Sequence, residues 1–182
     1  MGEPISIDLV NTRVRRDGAS LDLIGETGSL AAWLAAEGGR IPWSGDVTDT
    51  DLLEIRSLRD AIAQLFAAWN ASNQPSPDAL STINSALSAS AHVTGLAWTT
   101  DGPQISTDPP ARSERDALLY AIAMDAVNIL TGTDARLLRT CEHPDCTLQF
   151  LARNPRRRWC SAAICGNRAR VARHYTRHHT NS

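Results

Sequence analysis

The chain has no lysine: all eighteen basic residues among its 182 are arginines. A coding bias towards arginine and alanine accounts for the missing lysine, but it does not account for where the arginines lie. The chain also has no run of about twenty apolar residues, so a membrane-spanning helix is not expected. Its N-terminus lacks the basic flank and the long apolar run of a secretion signal, and we therefore expect a cytoplasmic protein.

Sequence signatures of common enzyme classes are missing as well. The chain has no serine–histidine–aspartate order, no glycine-rich phosphate loop and no HExxH motif. His92 is the only histidine before His143, which leaves little for acid–base catalysis. We therefore expect that the protein is not an enzyme.

Cysteine is absent from the first 140 residues, and the four cysteines that follow form two pairs, Cys141-x4-Cys146 and Cys160-x4-Cys165. Two close pairs separated by a short insert can bring four thiolates around one tetrahedral zinc ion. In a reducing compartment such a cluster favours a metal over the alternatives, two disulfides or four unrelated core thiols. We predict one structural Zn²⁺ with a closed ligand shell; His143 could replace one cysteine.

Charge is distributed unevenly along the chain, although the net charge is only −2. Residues 136–182 contain ten arginines and two acids, while residues 1–135 contain eight arginines and eighteen acids. The C-terminal part is thus strongly basic and the rest is acidic. This distribution suits a polyanionic partner, and the planar guanidinium fork binds phosphate in a bidentate way that lysine cannot.

The first 133 residues predict an α+β domain with a few strands and about four helices. Residues 4–12 alternate apolar and polar side chains, which predicts a strand. Asp101-Gly102 predicts the turn of a hairpin. Helices are predicted over residues 29–37, from Thr48 or Asp49 to Trp69, from Ser76-Pro77 onwards, and over residues 113–130 with Gly132 as the C-terminal cap.

Residues 134–182 predict a small module of the layout called a treble clef. A strand over residues 147–152 and a returning strand end over 157–160 follow the first cysteine pair. Ser161 then caps a helix that carries Cys165 in its first turn and continues to about Arg177. The module has few apolar residues, so we expect it to need the metal to fold.

Three arginines of the last predicted helix, Arg170, Arg173 and Arg177, have the spacing of one helical face. We predict a nucleic-acid-binding surface formed by Arg153, Arg156, Arg157, Arg158, Arg168, Arg170, Arg173 and Arg177. The alternative is a solvated arginine face, or one that packs on the acidic domain. An exposed face favours nucleic acid, whereas a face buried on that domain favours a protein-docking adaptor.

A polar cluster near the N-terminus, formed by Asp8, Asn11, Thr12 and Arg13, is a candidate ligand-binding site because loop residues placed by a rigid element often bind ligands. The alternative is a polar tip that caps a helix or turn. Four tryptophans, Trp33, Trp43, Trp69 and Trp98, could line a pocket, but tryptophans at helical spacing more often belong to a core.

The string RRRWCSAAICGNRARVARHY resembles the CGNR zinc-finger family, whose name is the tetrapeptide at residues 165–168. The opening IDLVNTR, residues 7–13, is similar to the start of the ABATE domain that accompanies it. The resemblance implies a bacterial stress-induced transcription regulator with a DNA-binding treble clef and an N-terminal domain that senses a small ligand. By position it implies zinc ligation by Cys141, Cys146, Cys160 and Cys165.

Three interpretations follow from the sequence. The first is a transcription regulator; the second is a protein-interaction adaptor with a purely structural zinc module; the third is a small-molecule enzyme in the N-terminal domain. We also expect Gly166 to allow close approach of another segment, Asn167 to hydrogen-bond neighbouring backbone, and Arg168 to pair with phosphate or an acid. The ligand and the DNA sequence stay open, as does a homodimer.

Overall fold

The structure is a computed structural model that describes residues 2–16, 18–41, 43–89, 93–99, 102–108 and 113–179. Side chains are described in these ranges except at 16, 89, 93–99, 102, 104–108 and 177–179. The helices are α1 (Ile5–Val10), α2 (Thr27–Ala36), α3 (Asp49–Asn70), α4 (Pro77–Ala89), α5 (Glu114–Thr131) and α6 (Asn167–His179). The strands are β1 (Arg13–Arg16), β2 (Ala19–Asp22), β3 (Val93–Thr99), β4 (Gly102–Asp108), β5 (Leu138–Thr140) and β6 (Gln149–Leu151). Within these ranges the predicted α+β class is confirmed.

The main core lies where α3, α4 and α5 pack on one another, with α1 against α3 and α5. Capping boxes begin α3 and α5, formed by Thr48 with Asp51 and by Ser113 with Asp116. Both predicted helix starts are confirmed, and each cap contributes on the order of 1 kcal/mol. On α4, Ile83 is buried in the main core, whereas Leu80 is 44% exposed.

The first element is a helix, so the strand predicted over residues 4–12 is wrong. α1 packs against α3, α5 and β6, and every residue of α1 after Ile5 is buried. Its polar residues tolerate burial because Ser6 Oγ donates to Asp125 (2.5 Å) and Asp8 accepts from Arg40 (2.7 Å). Apolar and polar residues are therefore both inside, and their alternation does not separate a buried face from an exposed one.

The sheet of β1 and β2 was not predicted from the sequence. The two strands pair antiparallel from Arg13 opposite Asp22 to Arg16 opposite Ala19, and Gly18 between them has φ 81°, a left-handed conformation that suits glycine. Arg59 of α3, which is 1% exposed, reaches Asp22 with two hydrogen bonds of 2.6 and 2.8 Å. This ion pair, buried on the arginine side, attaches the sheet to α3.

The predicted hairpin near Gly102 is present as β3 and β4. Gly102 pairs with Thr99 and is the first residue of β4, so its predicted place in the turn is wrong. Asp101, the other predicted turn residue, and His92 lie outside the described residues.

The strand predicted over residues 147–152 is confirmed as β6, but its partner is β5. The returning strand end predicted at 157–160 is wrong, since residues 157–158 have no regular structure and residues 159–160 form a bend. Only one backbone bond joins them to the first cysteine loop, from Glu142 N to the Arg158 carbonyl (3.1 Å). The pair of strands instead spans the first cysteine loop, with Leu138 opposite Leu151.

The C-terminal module is docked firmly on the N-terminal part. Leu138 and Leu151 belong to the same hydrophobic cluster as α3 and α5. The side chain of Asn11 brackets the backbone of Gln149, donating from Nδ2 to its carbonyl (2.9 Å) and accepting from its N–H (2.8 Å). Glu3 accepts from the N–H of Leu151 (3.0 Å). These bonds cover the edge of β6 that faces α1.

No helix in the described part of the chain is both long enough and apolar enough to cross a membrane.

Candidate metal centre and nucleic-acid interface

The four cysteines converge on one point, and their sulfur atoms all lie within 4.8 Å of one another. Cys141 directly follows β5, and Cys146 closes the loop that leads towards β6. Cys160 precedes a π-helical turn, Ala162–Gly166, that opens α6, and Cys165 lies within this turn. Ser161 caps the turn by accepting from the Ile164 N–H, as predicted. Cys141 and Cys165 are buried and the other two are partly exposed.

The sulfur spacing fits zinc. With Zn–S bonds of about 2.3 Å, tetrahedral geometry places two sulfurs about 3.8 Å apart. Cys146 and Cys160 have sulfurs 3.7 Å apart, and Cys160 and Cys165 have sulfurs 3.5 Å apart. His143 is not among the converging groups, and its Nδ1 accepts from the Asp145 N–H (3.2 Å).

The electrostatics of the four thiols also favour binding of a cation. Burial raises the pKa of the Cys146 thiol to about 11, and burial together with neighbouring sulfurs raises the pKa of Cys160. Burial opposes ionisation of Cys141 too, but backbone N–H groups of Cys160 and His143 donate to its sulfur and lower its pKa. Four crowded thiolates are therefore unfavourable alone, and a divalent ion at their centre compensates the charge.

Gly166 is placed where a side chain would collide with Trp159. A Cβ on Gly166 would lie 3.0 Å from Cδ1 of that indole ring. The predicted close approach at this glycine is therefore confirmed, and the approaching group is Trp159. By contrast, the described contact of the Asn167 side chain is with Arg170 (3.5 Å), rather than with backbone as predicted.

Three arginines of α6 are exposed as the prediction requires. Arg168, Arg170 and Arg173 are exposed, and none has an ion pair with an acid among the described residues. Arg173 donates to the Ala169 carbonyl within the helix (3.2 Å). The backbone of Arg177 continues the same helix, while its side chain lies outside the described set.

The other predicted arginines have different surroundings. Arg157 is partly buried and held by internal contacts: it donates to Glu3 (3.1 Å) and to the Cys160 carbonyl (3.0 Å), and its guanidinium lies 4.2 Å above the Phe150 ring. Arg158 pairs with Glu142 (2.6 Å), and Arg153 lies 3.8 Å from Asp134. Arg156 is exposed.

Two family models match the chain in sequence. The ABATE model, whose description reads "Putative stress-induced transcription regulator", matches residues 3–133, and the CGNR zinc-finger model matches residues 137–178. The chain belongs to the ABATE family. The four cysteines lie within the second match and form the site for the single zinc ion of its CGNR finger. A search of curated proteins found no match.

In this ABATE protein the four residues of the predicted ligand cluster do not act together. Thr12 is buried; it donates to the Leu9 carbonyl (2.7 Å) and accepts from Arg59 (3.1 Å). Asn11 is used by β6, Asp8 is paired with Arg40, and Arg13 is paired with Asp60 (3.2 Å). For Thr12, the alternative of a polar residue that caps a helix or turn therefore fits the structure.

Asp8, Asn11 and Thr12 nevertheless line a cleft between the ABATE domain and the CGNR finger. Of the tryptophans suggested for a pocket, Trp33 lines this cleft and Trp43 and Trp69 do not, while the side chain of Trp98 lies outside the described set. The sequence prediction missed Arg15 and Gln149, which line the same cleft. No sequence signal could have grouped them, because the walls come from segments more than a hundred residues apart.

Proposed function

We propose that the protein is a non-enzymatic cytoplasmic transcription regulator that binds DNA through α6, with ligand sensing by its ABATE domain. The observation that carries the proposal is the set of three exposed arginines, Arg168, Arg170 and Arg173, at the start of α6. Basic side chains without an acidic partner supply the electrostatic attraction that dominates affinity for the phosphate backbone. The family description as a stress-induced transcription regulator supports the same role.

The position of α6 supports a role in groove binding. α6 packs chiefly against the π-helical turn that precedes it and carries no acidic residue. A helix that stands away from the body in this way suits the major groove of DNA, which is about 12 Å wide. The zinc ion would hold the start of this helix in place through Cys160 and Cys165 and would supply no reactive position, because all four ligands are thiolates.

The test is selection of bound duplexes from a random pool, followed by affinity measurements at two or more salt concentrations. The triple variant Arg168→Gln, Arg170→Gln, Arg173→Gln should bind at least tenfold more weakly than the unmodified protein. The slope of log K against log salt is negative, and each lost phosphate contact should make it shallower by about 0.9. The matched control is Arg136→Gln, since Arg136 is exposed and lies outside the predicted set. Absence of any DNA affinity at low salt would refute the proposal.

An adaptor is the second candidate, because apolar side chains are also exposed near α6. Ile164, Val171 and Tyr175 are 58, 46 and 62% exposed. Exposed apolar side chains of this kind favour contact with another protein over contact with phosphate. The double variant Val171→Ser, Tyr175→Ser separates the two roles. If the protein is an adaptor, this variant loses the protein partner and the triple arginine variant still binds it. If the protein binds DNA, the triple arginine variant loses affinity and the double variant is affected little.

A further inference from the structure

The cleft between the ABATE domain and the CGNR finger is large enough for a ligand. Its volume is about 1010 Å³, at the upper end of the range of roughly 300–1,000 Å³ typical of small-molecule sites. Trp33 and Ala36 of α2 form part of the wall on the ABATE side. Leu148, Gln149 and Ile164 form part of it on the side of the zinc finger.

Two residues of this wall have buried polar atoms without a hydrogen-bond partner. They are Nε1 of Trp33, which can only donate, and Oε1 of Gln149, which can only accept. Trp33 is 5% and Gln149 is 7% exposed. A buried polar atom left unpaired costs on the order of 1–3 kcal/mol. One such donor and one such acceptor belong to residues that line one cleft, and a molecule that offers both an acceptor and a donor would pair with them once the two side chains turn towards it.

Three other polar side chains of the cleft already have partners. Asp8 is paired with Arg40, Glu3 with Arg157, and Asn11 with the backbone of Gln149. Asp145 at the rim opposes the exposed cations Arg15 and Arg168, and the zinc–thiolate centre beside them carries a charge of about −2. Charges of both signs thus lie close to balance, which favours an uncharged ligand over an ion.

We propose that this cleft binds a small, uncharged, largely apolar molecule with one hydrogen-bond acceptor for Trp33 Nε1 and one donor for Gln149 Oε1. A planar lactam or a similar heteroaromatic amide has this chemistry. The proposal rests on the ligand-sensing part of the proposed function and is independent of DNA binding. Because Trp33 belongs to the ABATE domain and Gln149 to the finger, the ligand would contact both and strengthen their docking.

The probes are neutral bicyclic lactams such as 2-quinolone, together with the N-methylated lactam, which lacks the donor, and the corresponding carboxylate. Binding to the zinc-loaded full chain is followed by the indole ¹⁵N–¹H resonances, with that of Trp33 assigned through Trp33→Phe. Trp43 and Trp69 are internal controls, because their Nε1 atoms already donate to the carbonyls of Gly45 (2.7 Å) and Ala135 (2.8 Å).

Lactams should shift the Trp33 resonance, leave those of Trp43 and Trp69 in place, and raise the melting temperature. The N-methylated lactam, Trp33→Phe and Gln149→Met should each weaken binding at least fivefold, whereas Trp69→Phe should not. A Trp33 resonance that responds to no lactam would overturn the proposal. Stronger binding of the carboxylate would overturn the uncharged class. DNA affinity is measured separately without probe, so either proposal can fail alone.

Discussion

A single side chain, Asn11, makes the hydrogen bonds to β6 that a neighbouring strand would make. Its amide donates to the carbonyl of Gln149 and accepts from the N–H of the same residue, as a strand residue would. An asparagine can do this because its side chain contains both groups of a peptide unit. The contact joins residues 138 positions apart in sequence and fastens the zinc finger to α1.

Replacing Asn11 should therefore loosen the docking of β6. Asn11→Ala leaves the N–H and the carbonyl of Gln149 without these partners, and we expect the free energy of unfolding to fall by about 1–3 kcal/mol. Denaturant unfolding of the zinc-loaded protein measures the change. Asn84→Ala is the matched control, because Asn84 is exposed on α4 and should change stability by less than about 0.5 kcal/mol. Equal effects of the two substitutions would contradict the role of Asn11.

Asp22 provides a pH-dependent contribution to stability. Hydrogen bonds from Arg59 lower its pKa from 3.8 to about 2, outweighing burial, which acts in the opposite direction. Since the folded-state pKa is depressed, the contribution is complete above the unfolded pKa near 4 and is lost as pH falls towards 2. A shift of this size corresponds to about 2 kcal/mol. Asp22 is 22% exposed, so solvent weakens the pair only partly.

We expect the free energy of unfolding to fall more steeply between pH 4 and pH 2 in the unmodified protein than in Asp22→Asn. The difference should approach about 2 kcal/mol, because the amide cannot be protonated in this range. Urea unfolding at closely spaced pH values measures it. Parallel stability curves for the two proteins would show that Asp22 does not carry this dependence.

The sequence predicted the zinc ligands but not the contacts that Asn11 and Thr12 make, and the reason is the range of those contacts. Cys141, Cys146, Cys160 and Cys165 are recognisable because metal ligation imposes a spacing within one short segment. Asn11 and Thr12 are defined by Gln149 and Arg59, which lie 138 and 47 positions away. Side-chain partners at such separations leave no local pattern.

At the scale of elements, capping residues predicted helix starts correctly, whereas hydrophobic periodicity misassigned the first element. The starts of α3 and α5 were correct because a capping box is a local hydrogen-bonded unit of four residues. α1 was misassigned because its polar residues are buried beside charged partners from α5 and from the segment after α2. The pairing of β5 with β6 was missed because a three-residue strand such as Leu138–Thr140 has too little pattern to detect.

The turn that opens α6 depends on glycine at position 166. In Gly166→Ala the new Cβ would lie 3.0 Å from Trp159, so the indole would have to move, and Trp159 is adjacent to the ligand Cys160. We expect overpacking to cost about 1–3 kcal/mol and to lower zinc affinity at least fivefold. Competition with a chromophoric chelator measures the affinity.

A matched glycine substitution is available in α2. A Cβ on Gly28 would meet nothing within 4 Å, so Gly28→Ala should leave zinc affinity unchanged and stabilise the helix slightly. If Gly166→Ala alone weakens zinc binding and the added substitution Trp159→Val restores it, the contact is the cause. Unchanged zinc affinity in Gly166→Ala would rule out this role for the glycine.

At the scale of the whole molecule, the buried residues of the zinc finger are divided between two hydrophobic clusters. Leu138 and Leu151 are buried in the main hydrophobic cluster with α3 and α5. Phe150 and Ala152 instead form a small second cluster with the cysteines and Trp159. Ile164 and Val171, two of the few apolar side chains of the module, are exposed. The second cluster is thus too small to persist without the metal.

Removal of zinc should therefore unfold part of the finger and spare the helical core. With a strong chelator present, we expect backbone hydrogen exchange to become fast over residues 141–147 and 153–179, because these segments are held chiefly by the thiolates. Exchange should stay slow in α3 and α5 and change less in β5 and β6, where Asn11, Glu3 and the main core provide contacts independent of the metal. Mass spectrometry of the exchanged peptides, before and after zinc is restored, measures both effects. Equal protection of residues 153–179 with and without zinc would refute a structural role for the ion, and loss of protection in α3 would refute the independence of the helical core.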